Sequence, residues 1–187
     1  DGALYVADMY RGLIQHGAYV TPYLREQTLS RKLVLPVNRG RIWRIVQEDW
    51  TPEKPAKLSK MSLQELVDFL SHPNGWYRDM AQRLIVEKGD LSIVTSLKEL
   101  ALSGHNQLGR LHALWTLEGL HQRDPLLLFA LLADKNQLIR SNAIRLLETI
   151  AKQDPLVRAR LQRELPPLVS SSSAKTNLQI SLTAGVL

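Results

Sequence analysis

The 187-residue sequence contains no cysteine. That excludes disulfides, thiolate metal sites, iron–sulfur clusters and covalent haem attachment within it, and is compatible with either a reducing or an oxidising compartment. Long apolar runs are also missing. The longest, Leu126 to Ala133, has eight residues, against the roughly 18 or more that a membrane-spanning helix needs. No run of clustered Lys and Arg occurs, although the formal net charge is +6. Residues 1–60 carry ten Lys/Arg against six Asp/Glu, and residues 61–187 fourteen against twelve. A nucleic-acid surface needs concentrated positive charge to exchange for counterions, so this dispersed surplus reads as a solvated surface with no nucleic-acid partner. Gly-x-Gly-x-x-Gly, Walker, Gly-x-Ser-x-Gly and His-Glu-x-x-His motifs are absent. His72, His105 and His121 lie near turns, share no metal-ligand spacing and receive no role.

What remains is ordinary for a folded protein: 44% hydrophobic and 22% charged residues,. The chain opens at Asp1 rather than Met, within what reads as a strand, and stops in mid-pattern at Leu187. The expectation is an internal fragment of a longer chain. Ala3–Ala7 is a short apolar, aromatic and β-branched run preceded by the turn dipeptide Asp1-Gly2,. Arg41–Val46 follows the turn Arg39-Gly40 and alternates basic with apolar residues, as a half-buried strand should,. Between them Tyr10–Asn38 reads as a long loop broken by Pro22 and Pro36,. Two strands bury no core by themselves, so they are expected to belong to a larger sheet. Residues 50–60, with Pro52, Pro55 and three lysines, read as a linker,.

From Met61 the period becomes helical. Ser62-Leu63-Gln64-Glu65 has the form of a capping box, and Leu63, Leu66, Val67 and Leu70 follow on one helix face,. Pro73-Asn74-Gly75 ends that helix, and a second runs from Trp76 to Lys88 with Gly89 as its stop,. The start signals then recur. Asp90, Asp124 and Asp154 each precede an apolar run, the last two followed by Pro, at spacings of 34 and 30 residues,. Asn74, Asn106 and Asn136 open the partner helices at spacings of 32 and 30. Arg78, Arg110 and Arg140 each stand three residues before a small residue: Ala81, Ala113 and Ala143. A unit of two antiparallel helices, repeated about four times with a degenerate last copy, buries its apolar faces only by stacking. The expected fold is therefore mostly α, a right-handed HEAT-like α-α solenoid over residues 61–187 that serves as a scaffold. A tetratricopeptide array is the rival, but its Trp, Leu-Gly, Tyr and Pro pattern is not evident.

Several side chains carry candidate chemistry. Asp8-Met9-Tyr10-Arg11 closes the first strand. Asp8 can ligate a hard cation or orient a base, and Arg11 can clamp a carboxylate; alternatively Asp8 caps a turn and pairs with Arg11. His16 is a candidate base or ligand, or a surface residue. Tyr19, Tyr23 and Arg25 line a pocket or pin the loop. Trp76-Tyr77-Arg78 suits a protein interface, or Trp76 packs on the preceding helix. Trp115 is expected in the core with His112 as a solvated or hydrogen-bonded neighbour, and Ser170–Ser173 as a flexible turn.

The runs Asp1–Arg11, Ile14-Gln15-His16, Thr21–Arg25 and Gly40–Arg44 resemble the last blade of the six-bladed β-propeller in the large membrane-bound-type dehydrogenases of planctomycetes and verrucomicrobia. Pro73–Leu84 and Arg110–Leu117 resemble the HEAT-like repeats that follow it in that family. The resemblance implies that residues 1–49 are an incomplete propeller blade (two strands plus a long loop), 50–60 a linker and 61–187 the repeats. It implies a parent that oxidises a sugar or other alcohol and passes electrons to a haem domain. No cofactor is expected within these 187 residues; pyrroloquinoline quinone and calcium belong to the full propeller, and haem c to a C-terminal Cys-x-x-Cys-His domain. Asp8, Arg11 and His16 fall in the family's final-blade motif and are the candidate catalytic residues. The implied partners are the other blades and the cytochrome domain of the same chain, in the periplasm or cell envelope. The other reading is a propeller and solenoid that bind protein or polysaccharide without redox chemistry.

Overall fold

Helix starts in this chain are fixed by short polar side chains that satisfy the first backbone N–H groups. A computed structural model describes residues 3–35, 37–51 and 54–187. The expected turn at Asp1-Gly2 and the breaks at Pro36 and Pro52 lie outside the described residues. Ser62 accepts from Glu65 N–H at 3.3 Å while the Glu65 carboxylate accepts from Ser62 N–H at 2.7 Å, so the capping box opens α2 (Leu63–Phe69). Asn74 caps α3 (Gly75–Lys88), and Gly89 ends it at φ 64°, in the left-handed region that glycine tolerates,. Asp90 caps a short 3-10 turn that leads into α4 (Val94–Ser103). Asn106 then caps α5 (Gln107–Gly119), and Asp124 with Pro125 opens α6 (Pro125–Ala130). Asn136 caps α7 (Gln137–Ala151), and Asp154 with Pro155 opens α8 (Pro155–Leu168). Ser173 caps α9 (Ala174–Ala184), so the serine tract is an ordered turn and helix start; the Ser171 carbonyl also receives a bond from Arg140 at 2.7 Å.

The chain is mostly helical and forms two compact units, residues 1–55 and 56–187. In the second unit α2 packs on α3 and α4 on α5, while α6 and α8 both pack on α7. α3, α5, α7 and α9 contact one another in succession. The small residues expected at close approaches, Ala81, Ala113 and Ala143, are fully buried. So are Leu66, Leu70, Ile85, Leu97, Ile144, Leu147 and Leu161, in one contiguous core across these helices. Residues 56–60, read from sequence as part of the linker, pack with these helices: Leu58 is buried and lies in the core.

The first unit contains β1 (Leu4–Asp8) and β2 (Arg41–Ile45), an antiparallel pair in the register Leu4↔Ile45, Val6↔Trp43 and Asp8↔Arg41. Two expectations change here. The segment between the strands is not all loop: Thr21 accepts from Leu24 N–H at 3.2 Å and Pro22 occupies the first position of α1 (Pro22–Ser30), a start signal of the same kind as Asp124-Pro125,. Nor is β2 half-buried. Each of its residues is exposed, Ile42 at 76%, because among the described residues of this unit no element covers either face of the ribbon. Thr28 is the one buried residue described in it.

Candidate functional site

The end of the ribbon brings chemistry together through register. Directly opposed residues of an antiparallel pair project to the same side. Asp8, last in β1, therefore meets Arg41, first in β2: Arg41 Nε and Nη2 donate to Asp8 Oδ2 at 3.0 and 2.6 Å. Trp43 lies two residues along and hence on the same face, and its Nε1 donates to the same oxygen at 3.2 Å. Tyr10 N–H donates to Asp8 Oδ1 at 2.8 Å, a turn that places Tyr10 at φ 46°. The Arg41 guanidinium lies 3.8 Å from the Tyr10 ring centroid and 5.0 Å from that of Trp43, a cation–π sandwich,. The bonds from Tyr10, Trp43 and Arg41, in that order, hold the Asp8 carboxyl below its ordinary pKa,. Asp8 is thus a fixed carboxylate whose lone pairs point at its own scaffold.

Beside this network opens a recess of about 510 Å³ lined by Asp8, Met9, Arg11, Asn38, Arg39 and Arg41, among others. Asp8 and Arg11 share it, but the pairing expected between them goes to Arg41 instead. His16 does not line the recess. Its Nδ1 accepts from Ala18 N–H at 3.4 Å, capping the turn Gly17–Tyr19, and its ring lies 5.9 Å from that of Tyr19. Tyr19, Tyr23 and Arg25 are exposed and do not line the recess. Sequence reasoning missed Asn38, Arg39 and Arg41 as neighbours of Asp8. The antiparallel pairing of the two strand-like runs was the signal that would have placed them there.

Residues 1–49 match the family model of a domain of unknown function, DUF7133. No curated protein matches the chain. The DUF7133 segment therefore contains both strands, α1, the recess and all three candidate catalytic residues, and ends before α2 begins. Among the described residues, inside the DUF7133 segment and beyond it, no group of three or more His, Asp or Glu side chains is placed to hold a metal ion.

Outside the DUF7133 segment, the second candidate triplet separates into three different environments. Trp76 is 58% exposed and borders an open groove with Met80, Leu84, Lys57 and Arg83. Tyr77 is buried, and its hydroxyl accepts from Ala56 N–H at 3.1 Å. Arg78 Nη1 donates to the carbonyls of His72 and Pro73 at 2.7 and 2.8 Å, closing its own turn. An exposed aromatic pair beside a free arginine is therefore not present; Trp76 alone faces solvent. Trp115 packs against the core and donates from Nε1 to Asn142 Oδ1 at 3.1 Å. His112 contacts Gln82 Oε1 through Nδ1 at 2.7 Å, and burial lowers its pKa against the opposing pull of Asp79.

Proposed function

We propose that this chain joins the final blade of a β-propeller to a HEAT-like solenoid, within a quinoprotein-like sugar or alcohol dehydrogenase in which this segment is scaffold rather than catalytic centre. The observation that carries the scaffold part is the neighbour-to-neighbour stitching of successive helix pairs. Arg110 of α5 bonds the Ala101 carbonyl behind it and Asp134 ahead of it, and Arg140 of α7 bonds the Ser171 carbonyl ahead of it. Such an array is held by contacts between adjacent repeats. The blade part is supported by a two-stranded ribbon whose apolar residues, Leu4, Val6, Ile42 and Ile45 among them, are exposed, which suits insertion into a larger sheet,. The dehydrogenase part is supported by the resemblance of residues 1–25 and 40–44.

The residues present do not fit the cofactors that the family implies. Asp8, the acidic side chain at the recess, has both oxygens engaged by Tyr10, Arg41 and Trp43. No cysteine is available for haem attachment. Quinone, calcium and haem would be held by other parts of a longer protein, in the periplasm or cell envelope. The alternative, a propeller and solenoid that bind protein or polysaccharide, is favoured by the Trp76 groove.

Two experiments test this. Alcohol-dependent dye reduction by the longer parent supplied with quinone and calcium, with Asp8→Ala and His16→Ala, separates the readings: unchanged rates remove both residues from the active site, and no turnover in any parent favours binding. For the scaffold, native-state hydrogen exchange on Leu161→Ala is expected to weaken protection in α7–α9 while α2–α4 keep theirs. Equal loss everywhere would refute a repeat array.

A further inference from the structure

The recess at the ribbon end holds more positive charge than the ribbon itself uses. Arg11, Arg39 and Arg41 line it beside one carboxylate, Asp8. Asp8 and Arg41 satisfy each other and are locked further by Tyr10 and Trp43. Among the described residues, Arg11 and Arg39 form no hydrogen bond, ion pair or ring contact. Two guanidiniums bordering one concavity repel each other, and each presents a planar fork of donors suited to a carboxylate or phosphate. The chain also adopts costly backbone to build this rim. Tyr10 at φ 46° sits in the left-handed region on one of the two segments that bound it; Asn38 at φ 59°, on the other, is a residue type that tolerates it,. A bulky aromatic there is uncommon, and such strain concentrates at ligand clamps.

We propose that this recess binds the oxyanion of a small ligand, a carboxylate or a phosphate group, between Arg11 and Arg39. Asp8 and Arg41 form a neutralised floor: the Asp8 charge is covered by Arg41, so it does not repel the incoming anion. The inference stands on the recess alone and holds for a dehydrogenase or a binding protein. In either case it gives the class of ligand held here, an acid or a phosphate ester rather than a neutral sugar,. It is read by binding, without turnover, so its failure is distinguishable from failure of the dehydrogenase reading.

The test is calorimetric titration of the full 187-residue chain with glucuronate, glucose 6-phosphate and glucose, at low and at physiological ionic strength. The expected result is binding of the acids, weakened by salt, and none of glucose. Tighter glucuronate than glucose 6-phosphate assigns a carboxylate ligand, and the reverse a phosphate ester. Arg11→Gln and Arg39→Gln should each weaken binding at least tenfold, whereas Arg25→Gln, on the exposed face of α1, should not. Arg11→Lys, which keeps the charge but not the fork, should retain more affinity than Arg11→Gln; all these variants lack internal bonds to lose, and far-UV circular dichroism confirms their folding. Equal binding of glucose, no binding of either acid, or an Arg25→Gln loss as large as that of Arg11→Gln would overturn the proposal.

Discussion

The ion pair between Arg110 and Asp134 ties three segments of the helical unit. Arg110, in the first turn of α5, donates through Nη1 to Asp134 Oδ1 at 3.3 Å and through Nη2 to Oδ2, while its Nε donates to the Ala101 carbonyl at 2.8 Å. Asp134 also accepts from Asn136 N–H at 2.8 Å at the entry to α7. The two side chains are only 12% and 13% exposed, so the pair is largely outside solvent screening. Removing one member of a buried pair typically costs about 3–5 kcal/mol, because the other charge is left uncompensated. Here Arg110 would keep its bond to Ala101, so the expectation for Asp134→Ala is about 2–3 kcal/mol. Arg110→Met with Asp134→Ala should cost less than the two singles together, with a coupling of about 1–2 kcal/mol. Urea unfolding followed by circular dichroism measures all four corners of the cycle. A single variant within about 0.5 kcal/mol of the parent, or strict additivity, would refute the reasoning.

The same pair sets a pH dependence. Burial raises the Asp134 carboxyl pKa, but the Arg110 hydrogen bonds, the Asn136 N–H and the Arg110 and Arg140 charges outweigh it, and the folded pKa is lowered. A lowered carboxyl stabilises fully above the unfolded value of about 3.9 and loses that contribution as pH falls through the folded value. Stability should therefore decline below about pH 4, less steeply in Asp134→Ala than in the parent.

Three further expectations follow from packing and capping. Gly109→Ala places a Cβ 2.1 Å from Ser71 Oγ and 3.0 Å from Ser71 Cβ; overpacking of about 1–3 kcal/mol should exceed the gain of roughly 1 kcal/mol in helix propensity, and Ser71→Gly should recover part of the loss in thermal unfolding. Asp154 accepts from Leu156 and Val157 N–H at 2.8 and 3.2 Å, so Asp154→Ala should cost about 1 kcal/mol, read as a lower urea midpoint. Tyr77→Ala should cost about 3 kcal/mol through a cavity and a lost hydrogen bond, whereas Trp76→Ala should leave the unfolding midpoint within error; equal losses at both would contradict their separate environments.

Legibility in the sequence followed locality. Caps at Ser62, Asn74, Asp90, Asn106, Asp124, Asn136 and Asp154 act on N–H groups two or three residues away, so composition and spacing sufficed to place them. Thr21-Pro22 carries the same chemistry, yet α1 was obscured because Pro22 reads equally as a loop breaker. The partner of Asp8 was hidden for a different reason: Arg41 lies 33 positions away and is selected by strand register, whereas Arg11 is merely near in sequence. Trp76 and Tyr77 read as one aromatic feature, but successive helical residues point about 100° apart, and here Trp76 faces solvent while Tyr77 turns into the core,. Strand burial was not legible, since alternation shows which side chains share a face and says nothing of what covers it.

The start of every helix pair is encoded within the pair itself, and this has a consequence for synthesis. As the polypeptide leaves the ribosome, Leu63–Lys88 can close on itself before residues beyond Gly89 have emerged, and each later hairpin then finds its template already in place. Closing loops this short carries a small entropic penalty and favours rapid assembly. The apolar stripe of each new hairpin would be uncovered only for the time needed to translate some thirty codons.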